Sequence, residues 1–494
     1  MNNGKEIYVI NPRAELVLVI ILLSMYWVFS FIQTDRLPIS FNAWGDEIMF
    51  VDPAVNLYMG KGFTSAAWYA QSREEFWAGY PPLYSFMLYL WMQIVGFSLA
   101  VPRSLNTFLT VITAILLWLS VKRLNLVTTA TARIGLMIIV LFTQNYTFNL
   151  ASGGRPDPLM LLLTVIVLLI YSMRSTIWRY VLLVVTCALI PLTGLALIAY
   201  SVMMVILLLV FLKRTFIAEA ISIIIGIAVG ILGLYGLYSA NGVWDKFVFS
   251  TKNNPTLIGH DLKSALPEVI RFGGFLKNWN FQILLILLVG IAIYQLMKKQ
   301  FRWKSLLCFG LASSFTIPFG MRFAGAFLFY NAWMITVPLA VCLCSSLEKL
   351  PNFGIKPYFY TAGCTLLLVL CTLGPHMQLI DIATNWQAFD YAPVRAFIDK
   401  NVTSKDWVFT DLVPYYAVKE KAEVVMTDWY QNIITPSEKN KLSLLILPSD
   451  LFDKTVTKLG GEWQIADDKL TIKTKDFLRN SQKSVTLNIY KRKV

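Results

Sequence analysis

Runs of roughly twenty apolar residues recur through the first three quarters of this 494-residue chain. As helices, runs of that length cross about 30 Å of hydrocarbon. Inside a bilayer each backbone N–H and C=O must be paired, which leaves the helix as the spanning element for such runs. With 56% hydrophobic and 14% aromatic residues, the chain reads as a polytopic α-helical membrane protein. The runs predict about eleven spans, near 14–33, 103–121, 130–149, 158–173, 179–190, 194–212, 216–238, 280–297, 304–319, 323–346 and 357–375. The first of them, Ala14 to Ile32, lacks a small-residue cleavage site and reads as a retained helix.

One further apolar stretch, Leu83 to Val95, reaches only about 20 Å as a helix and is too short to cross. Loop charge supports leaving it at the interface. With the N-terminus cytoplasmic and 83–95 not spanning, Lys5, Arg13, Lys122, Arg123, Arg133, Arg174, Arg179, Lys213, Arg214, Lys298, Lys299, Arg302, Lys304, Lys349 and Lys356 all fall on the cytoplasmic side. That is the positive-inside pattern; a spanning 83–95 would turn every later basic loop outward. Three large segments then face out: a first loop over 34–102, a loop over 239–279, and a region from 376 onward.

Composition changes at that last boundary. Residues 376–494 carry 17 Lys/Arg against 15 Asp/Glu, whereas residues 1–375 carry 26 against 14, so the net charge of +14 belongs mainly to the membrane part. No basic stripe or RNA-binding motif accompanies it, which argues against a nucleic-acid partner. Short runs at Trp407–Thr410, Val424–Met426, Leu444–Leu447 and Val485–Tyr490, with a helical pattern over Pro393–Lys400, predict a small α/β extracytoplasmic domain over 376–494. The six cysteines all lie in apolar segments, with no disulfide or zinc spacing. Gly226, Gly230 and Gly233 make a small-residue face suited to helix packing.

The outer segments hold the chemistry. Asp46-Glu47 lies about a dozen residues past the first span, and carboxylates held at a membrane surface can take a hydroxyl proton or bind a divalent cation. Gly60-Lys61-Gly62 lacks the phosphate-loop spacing and reads as a turn closing a helix. Tyr80-Pro81-Pro82-Leu83-Tyr84 opens the short stretch, whose Tyr84, Tyr89 and Trp91 suit headgroup level beside a lipid substrate. Asp157, in Arg155-Pro156-Asp157-Pro158, suits an N-cap and also a partner for Arg155. Arg103 and Arg322 stand at outer span ends, where an arginine either snorkels to the headgroups or binds phosphate. His260 and His376 have no ligand-spaced partner. A catalytic set of Asp46, Glu47 and Asp157 follows, with Tyr80, Tyr84, Arg103, Arg155, Arg322 and His260 as candidate substrate contacts; the sequence assigns no metal and requires no cofactor.

These motifs, in this order, resemble the GT-C superfamily of membrane glycosyltransferases. Asp46-Glu47, Asp52-Pro53-Ala54-Val55-Asn56-Leu57, Gly60-Lys61-Gly62-Phe63, Tyr80–Tyr84, Gly96-Phe97-Ser98 and Arg103-Ser104-Leu105-Asn106 are similar to its first outer loop. Arg155–Pro158 is similar to its second outer-loop motif, and Arg322-Phe323 to an Arg-Tyr pair near a late span. The pattern is similar to the protein O-mannosyltransferase-like and aminoarabinose transferase-like enzymes, although Tyr80 stands where many of these carry His or Lys. The resemblance implies a polyprenyl-phosphate sugar donor and a glycan, lipid or protein acceptor. It also implies inverting transfer with Asp46 as base, at the outer face of what is inferred to be a bacterial plasma membrane. A transporter of lipid-linked sugars and a non-catalytic sugar-lipid-binding partner are the alternatives; a transporter calls for ionisable groups in mid-span.

Overall fold

A computed structural model describes residues 11–34, 36, 44–142, 153–212, 216–252, 279–323, 333–350, 357–476 and 481–493. The chain opens with α1 (Pro12–Thr34), α2 (Trp44–Tyr58), α3 (Leu83–Val95), α4 (Ala100–Arg123), α5 (Ala130–Phe142) and α6 (Asp157–Tyr171). There follow α7 (Ile177–Thr193), α8 (Leu195–Leu212), α9 (Ile217–Ala240), the short α10 (Trp244–Lys252), α11 (Trp279–Met297), α12 (Leu306–Phe323), α13 (Trp333–Leu347) and α14 (Pro357–Thr384). Among the described residues, α1, α4, α8 and α9 are long and apolar enough to cross a membrane, as an integral membrane protein requires. Shorter apolar helices stand where most of the other runs were expected, and α14 runs nine residues past the expected boundary at 375. Many large apolar side chains on these helices face outward, such as Phe31, Leu232 and Met297; that is the reverse of a soluble surface.

Helix α9 lies against α7 through two of the three glycines noted above. A Cβ on Gly226 would come within 2.5 Å of the Val184 carbonyl, and one on Gly230 within 2.2 Å of the Ala188 carbonyl. Gly233 faces open space and takes no part.

At one end of the bundle, Glu15 of α1 receives two bonds from Arg133 of α5 (2.6 and 2.8 Å) and one from Trp118 of α4 (2.7 Å). Arg179 pairs with Glu219, and Glu348 beyond α13 caps the backbone N–H groups of Thr128 and Thr129. Of these residues, Arg133 and Arg179 are among the basic side chains that the sequence led one to expect on the cytoplasmic side.

The opposite end carries the small domain. Its five-stranded sheet has the order β2-β1-β3-β5-β4, with β1 (Trp407–Thr410), β2 (Val424–Thr427), β3 (Leu444–Pro448), β4 (Trp463–Asp476) and β5 (Ser481–Arg492). The first three are parallel and the last two antiparallel. Helices α15 (Ala392–Asn401), α16 (Tyr415–Lys421), α17 (Pro436–Lys441) and α18 (Ser449–Leu459) pack around it. Strand alternation divides the side chains: Phe409 and Met426 join a core within the domain. Val408, Val425 and Ile446 join a second core that continues into Ile48, Val51, Tyr84 and Leu105 of the helical part. The domain is therefore packed onto α2, α3 and α4.

Segment 59–82 strengthens that contact. Gly60 and Gly62 turn the chain after α2 with φ of 74° and 80°, backbone that glycine adopts without strain, as expected for a helix-closing turn. Thr427 N–H then donates to the Ala66 carbonyl at 3.2 Å, and Arg73 Nε lies 2.8 Å from Glu438 Oε1.

Candidate active site

Four of the residues singled out from the sequence converge where α2, α4 and the start of α6 meet. Glu47 is in the first turn of α2, and Arg103 in the first turn of α4; both are nearly inaccessible, with Arg103 Nε 3.5 Å from Glu47 Oε2. Arg103 does not snorkel to the surface: it is 1% exposed and also donates to the Arg36 carbonyl at 2.5 Å. The Glu47 Oε1 accepts the hydroxyl of Tyr416 on α16.

Asp157 opens α6 but is not its N-cap; Pro156 holds that position. Pro158 fits the first turn because the N–H it lacks has no helical partner there. This frees the carboxylate for other partners. Arg155 Nε lies 3.1 Å from its Oδ2, and Trp333 Nε1 of α13 donates to its Oδ1 at 3.2 Å. The Arg155 guanidinium sits 5.9 Å from the Phe50 ring centre, and Tyr80 meets that ring edge-on at 5.0 Å. The Asn106 amide ties the loop down by donating to the Gly153 and Arg155 carbonyls. The loop lies directly on α2: a Cβ at Gly154 would fall 2.7 Å from Val51 Cγ2 and 3.0 Å from Glu47 Cγ.

Tyr84 departs from its expected place. It is 1% exposed and lies inside, facing Glu47 and Asn106, rather than at headgroup level. Burial first, and the neighbouring Glu47 charge second, push its phenol well above the ordinary value; the same two causes act on Tyr416. Both phenols are neutral at any ordinary pH, and Tyr416 donates its hydroxyl to Glu47. The backbones of Asp46 and Arg322 belong to α2 and α12, but their side chains lie outside the described residues, as does His260. Among the described residues no three His, Cys, Asp or Glu side chains gather as metal ligands would.

A second buried carboxylate, Asp52, stands further along α2. Ser65 Oγ and Ala66 N–H donate to its Oδ2 (2.8 and 2.9 Å), and Lys419 Nζ (2.6 Å) and the Tyr415 hydroxyl donate to its Oδ1. With four donors and no exposure it is a joint between α2 and the domain.

Sequence reasoning gave no role to Tyr416, Asn106 or Trp333. Asn106 lies in a motif already noted, and three residues from Arg103 it shares a helix face with it. Tyr416 and Trp333 carry no local signal; only the fold brings them in.

In fold, this apolar bundle with an α/β domain at one end is similar to solved structures over most of its length. ArnT from Cupriavidus metallidurans bound to undecaprenyl phosphate superposes with a TM-score of 0.62 at 13% identity, covering 97% of this chain and 98% of that one. The oligosaccharyltransferase of Archaeoglobus fulgidus in its apo form gives a TM-score of 0.52 at 12% identity, over 89% of this chain and 70% of that one. By sequence, no family and no curated protein matches the chain.

Proposed function

We propose that this protein is a glycosyltransferase that moves a sugar from a polyprenyl-phosphate donor to an acceptor hydroxyl at the outer membrane face, with inversion. The observation that carries the reading is the convergence of Glu47, Arg103, Arg155 and Asp157 at one end of an apolar bundle, beside the helix turn that bears Asp46. The near full-length likeness to a fold seen with undecaprenyl phosphate supports the donor class. The reading includes about eleven spans with 83–95 at the interface, which leaves the paired Arg133 and Arg179 on the cytoplasmic side.

Two of the three carboxylates are already engaged by other side chains. Glu47 has Tyr416 and Arg103 on its two oxygens, and Asp157 has Arg155 and Trp333; each is 2% exposed. Neither is placed to take a proton from an acceptor. The base is assigned to Asp46, as the sequence resemblance implies: it accepts the proton of the acceptor hydroxyl as that oxygen attacks the anomeric carbon and the lipid phosphate leaves. Arg155, the more accessible of the two described arginines, stabilises the charge growing on the phosphate, as a preorganised cation does; Arg322 is a second candidate for that work. Asp157 and Trp333 orient Arg155, and Tyr80 shapes the wall beside Phe50. Sugar transfer from a labelled polyprenyl-phosphate sugar in detergent tests this. Asp46→Asn is expected to slow it by about 10²–10⁴; undiminished transfer at normal expression overturns the assignment.

A further inference from the structure

Glu47 is gripped from two parts of the chain that are remote in sequence. Arg103 approaches one oxygen from α4, and the Tyr416 hydroxyl donates to the other from the C-terminal domain. Tyr416 is itself fixed: it is fully buried, stacks on Phe97 at 6.0 Å, and meets Tyr415 edge-on at 5.3 Å.

The Glu47 side chain in turn touches both halves of the site. It follows Asp46 directly in the first turn of α2. It also lies beneath the loop that carries Arg155: a Cβ on Gly153 would be 3.6 Å from Glu47 Oε2, and one on Gly154 3.0 Å from Glu47 Cγ. Moving this side chain moves the start of α2 or the Gly153–Asp157 loop, because interiors are packed too closely to absorb the shift.

We infer that Tyr416 is a positioning residue of the active site: through Glu47, the C-terminal domain sets the placement of Asp46 and Arg155. The inference rests on the glycosyl-transfer reading above. It makes the domain part of the reacting apparatus rather than an appended module. Tyr415 supplies an internal control. It belongs to the same short helix and bonds a carboxylate of the same partner helix, but Asp52 keeps three other donors and lies away from the Asp46 turn.

The test uses the full chain in detergent with a membrane extract that supplies both acceptors and radiolabelled undecaprenyl-phosphate sugars, and follows release of undecaprenyl phosphate. Tyr416→Phe is expected to lower kcat by about ten- to a hundredfold, the worth of one buried hydrogen bond to a charged group, with KM for the donor near its wild-type value. Tyr415→Phe is expected to keep kcat. Glu47→Gln, which also weakens the Arg103 pair, should be at least as slow as Tyr416→Phe, and the double variant no slower than Glu47→Gln, since Tyr416 acts through Glu47. Wild-type kcat in Tyr416→Phe, or an equal fall in both tyrosine variants, overturns the inference. Should Tyr416→Phe fail to fold, Glu47→Gln decides alone: wild-type kcat there overturns it. If the unsubstituted protein releases no undecaprenyl phosphate, the glycosyl-transfer reading falls and takes this inference with it, an outcome distinguished by being visible before any substitution.

Discussion

The ammonium of Lys419 lies 2.6 Å from the carboxylate of Asp52, and neither side chain is more than 4% exposed. A charge pair this deep does little for stability relative to an apolar pair, because both ions lose their water. Removing one member is different, since the other is left buried and charged. Asp52→Leu strands the lysine and is expected to destabilise the protein by about 3–5 kcal/mol. Asp52→Leu/Lys419→Met, which removes both charges, should recover only part of that loss, because the Ser65, Ala66 and Tyr415 donors stay without their acceptor. Thermal unfolding of the two variants in detergent checks the order; equal midpoints for both would contradict it.

Close approach of α7 and α9 depends on Gly230. An alanine there places its Cβ 2.2 Å from the Ala188 carbonyl oxygen, which belongs to helix backbone and has no rotamer to yield. Gly230→Ala is expected to cost about 1–3 kcal/mol as the helices separate. Gly233→Ala meets nothing within 4 Å and should be neutral, or stabilising by a few tenths of a kcal/mol through helix propensity. Unfolding midpoints of the two single variants measure the contrast, and similar losses in both would refute the packing account.

Acid should loosen the seam between the first loop and the domain at Glu438. Burial raises this carboxyl, but the Thr435 backbone N–H and the Arg73 guanidinium outweigh it, and the group is held below its ordinary value of 4.5. The folded protein therefore binds this proton less readily than the unfolded chain. Its stabilisation is complete above about pH 4.5 and is lost as pH falls through the lower, folded value. Unfolding midpoints measured from neutral to about pH 3 should fall more steeply for the wild type than for Glu438→Gln. Parallel curves would remove Glu438 from the account.

What could be read in advance followed the range of each signal. Helices announce themselves through continuous apolar length, and α3 occupies the 83–95 stretch noted in the sequence. Strands β1, β2 and β3 are short apolar runs and were legible. Strand β4 was not, because it is an edge strand whose Lys469, Thr471, Lys473 and Lys475 face solvent and in which, among the described side chains, only Ile472 is buried. Asp46-Glu47 and Arg155–Asp157 stood out as charges beside apolar runs. Arg103 read equally well as a snorkelling residue, since nothing near it in sequence announces Glu47 as its partner. Tyr415-Tyr416 looks like the apolar side of a small helix, and no local pattern tells a core phenol from one that holds a distant carboxylate.

The two phenols are 363 and 369 residues from the carboxylates they serve. During synthesis, Glu47 and Asp52 emerge early and wait without their tyrosine partners while the bundle is laid down. They are covered only when residues 415–421 arrive and dock. Contacts of such long range form late, so a nascent chain halted short of Tyr415 has its greasy scaffold but not yet a working mouth.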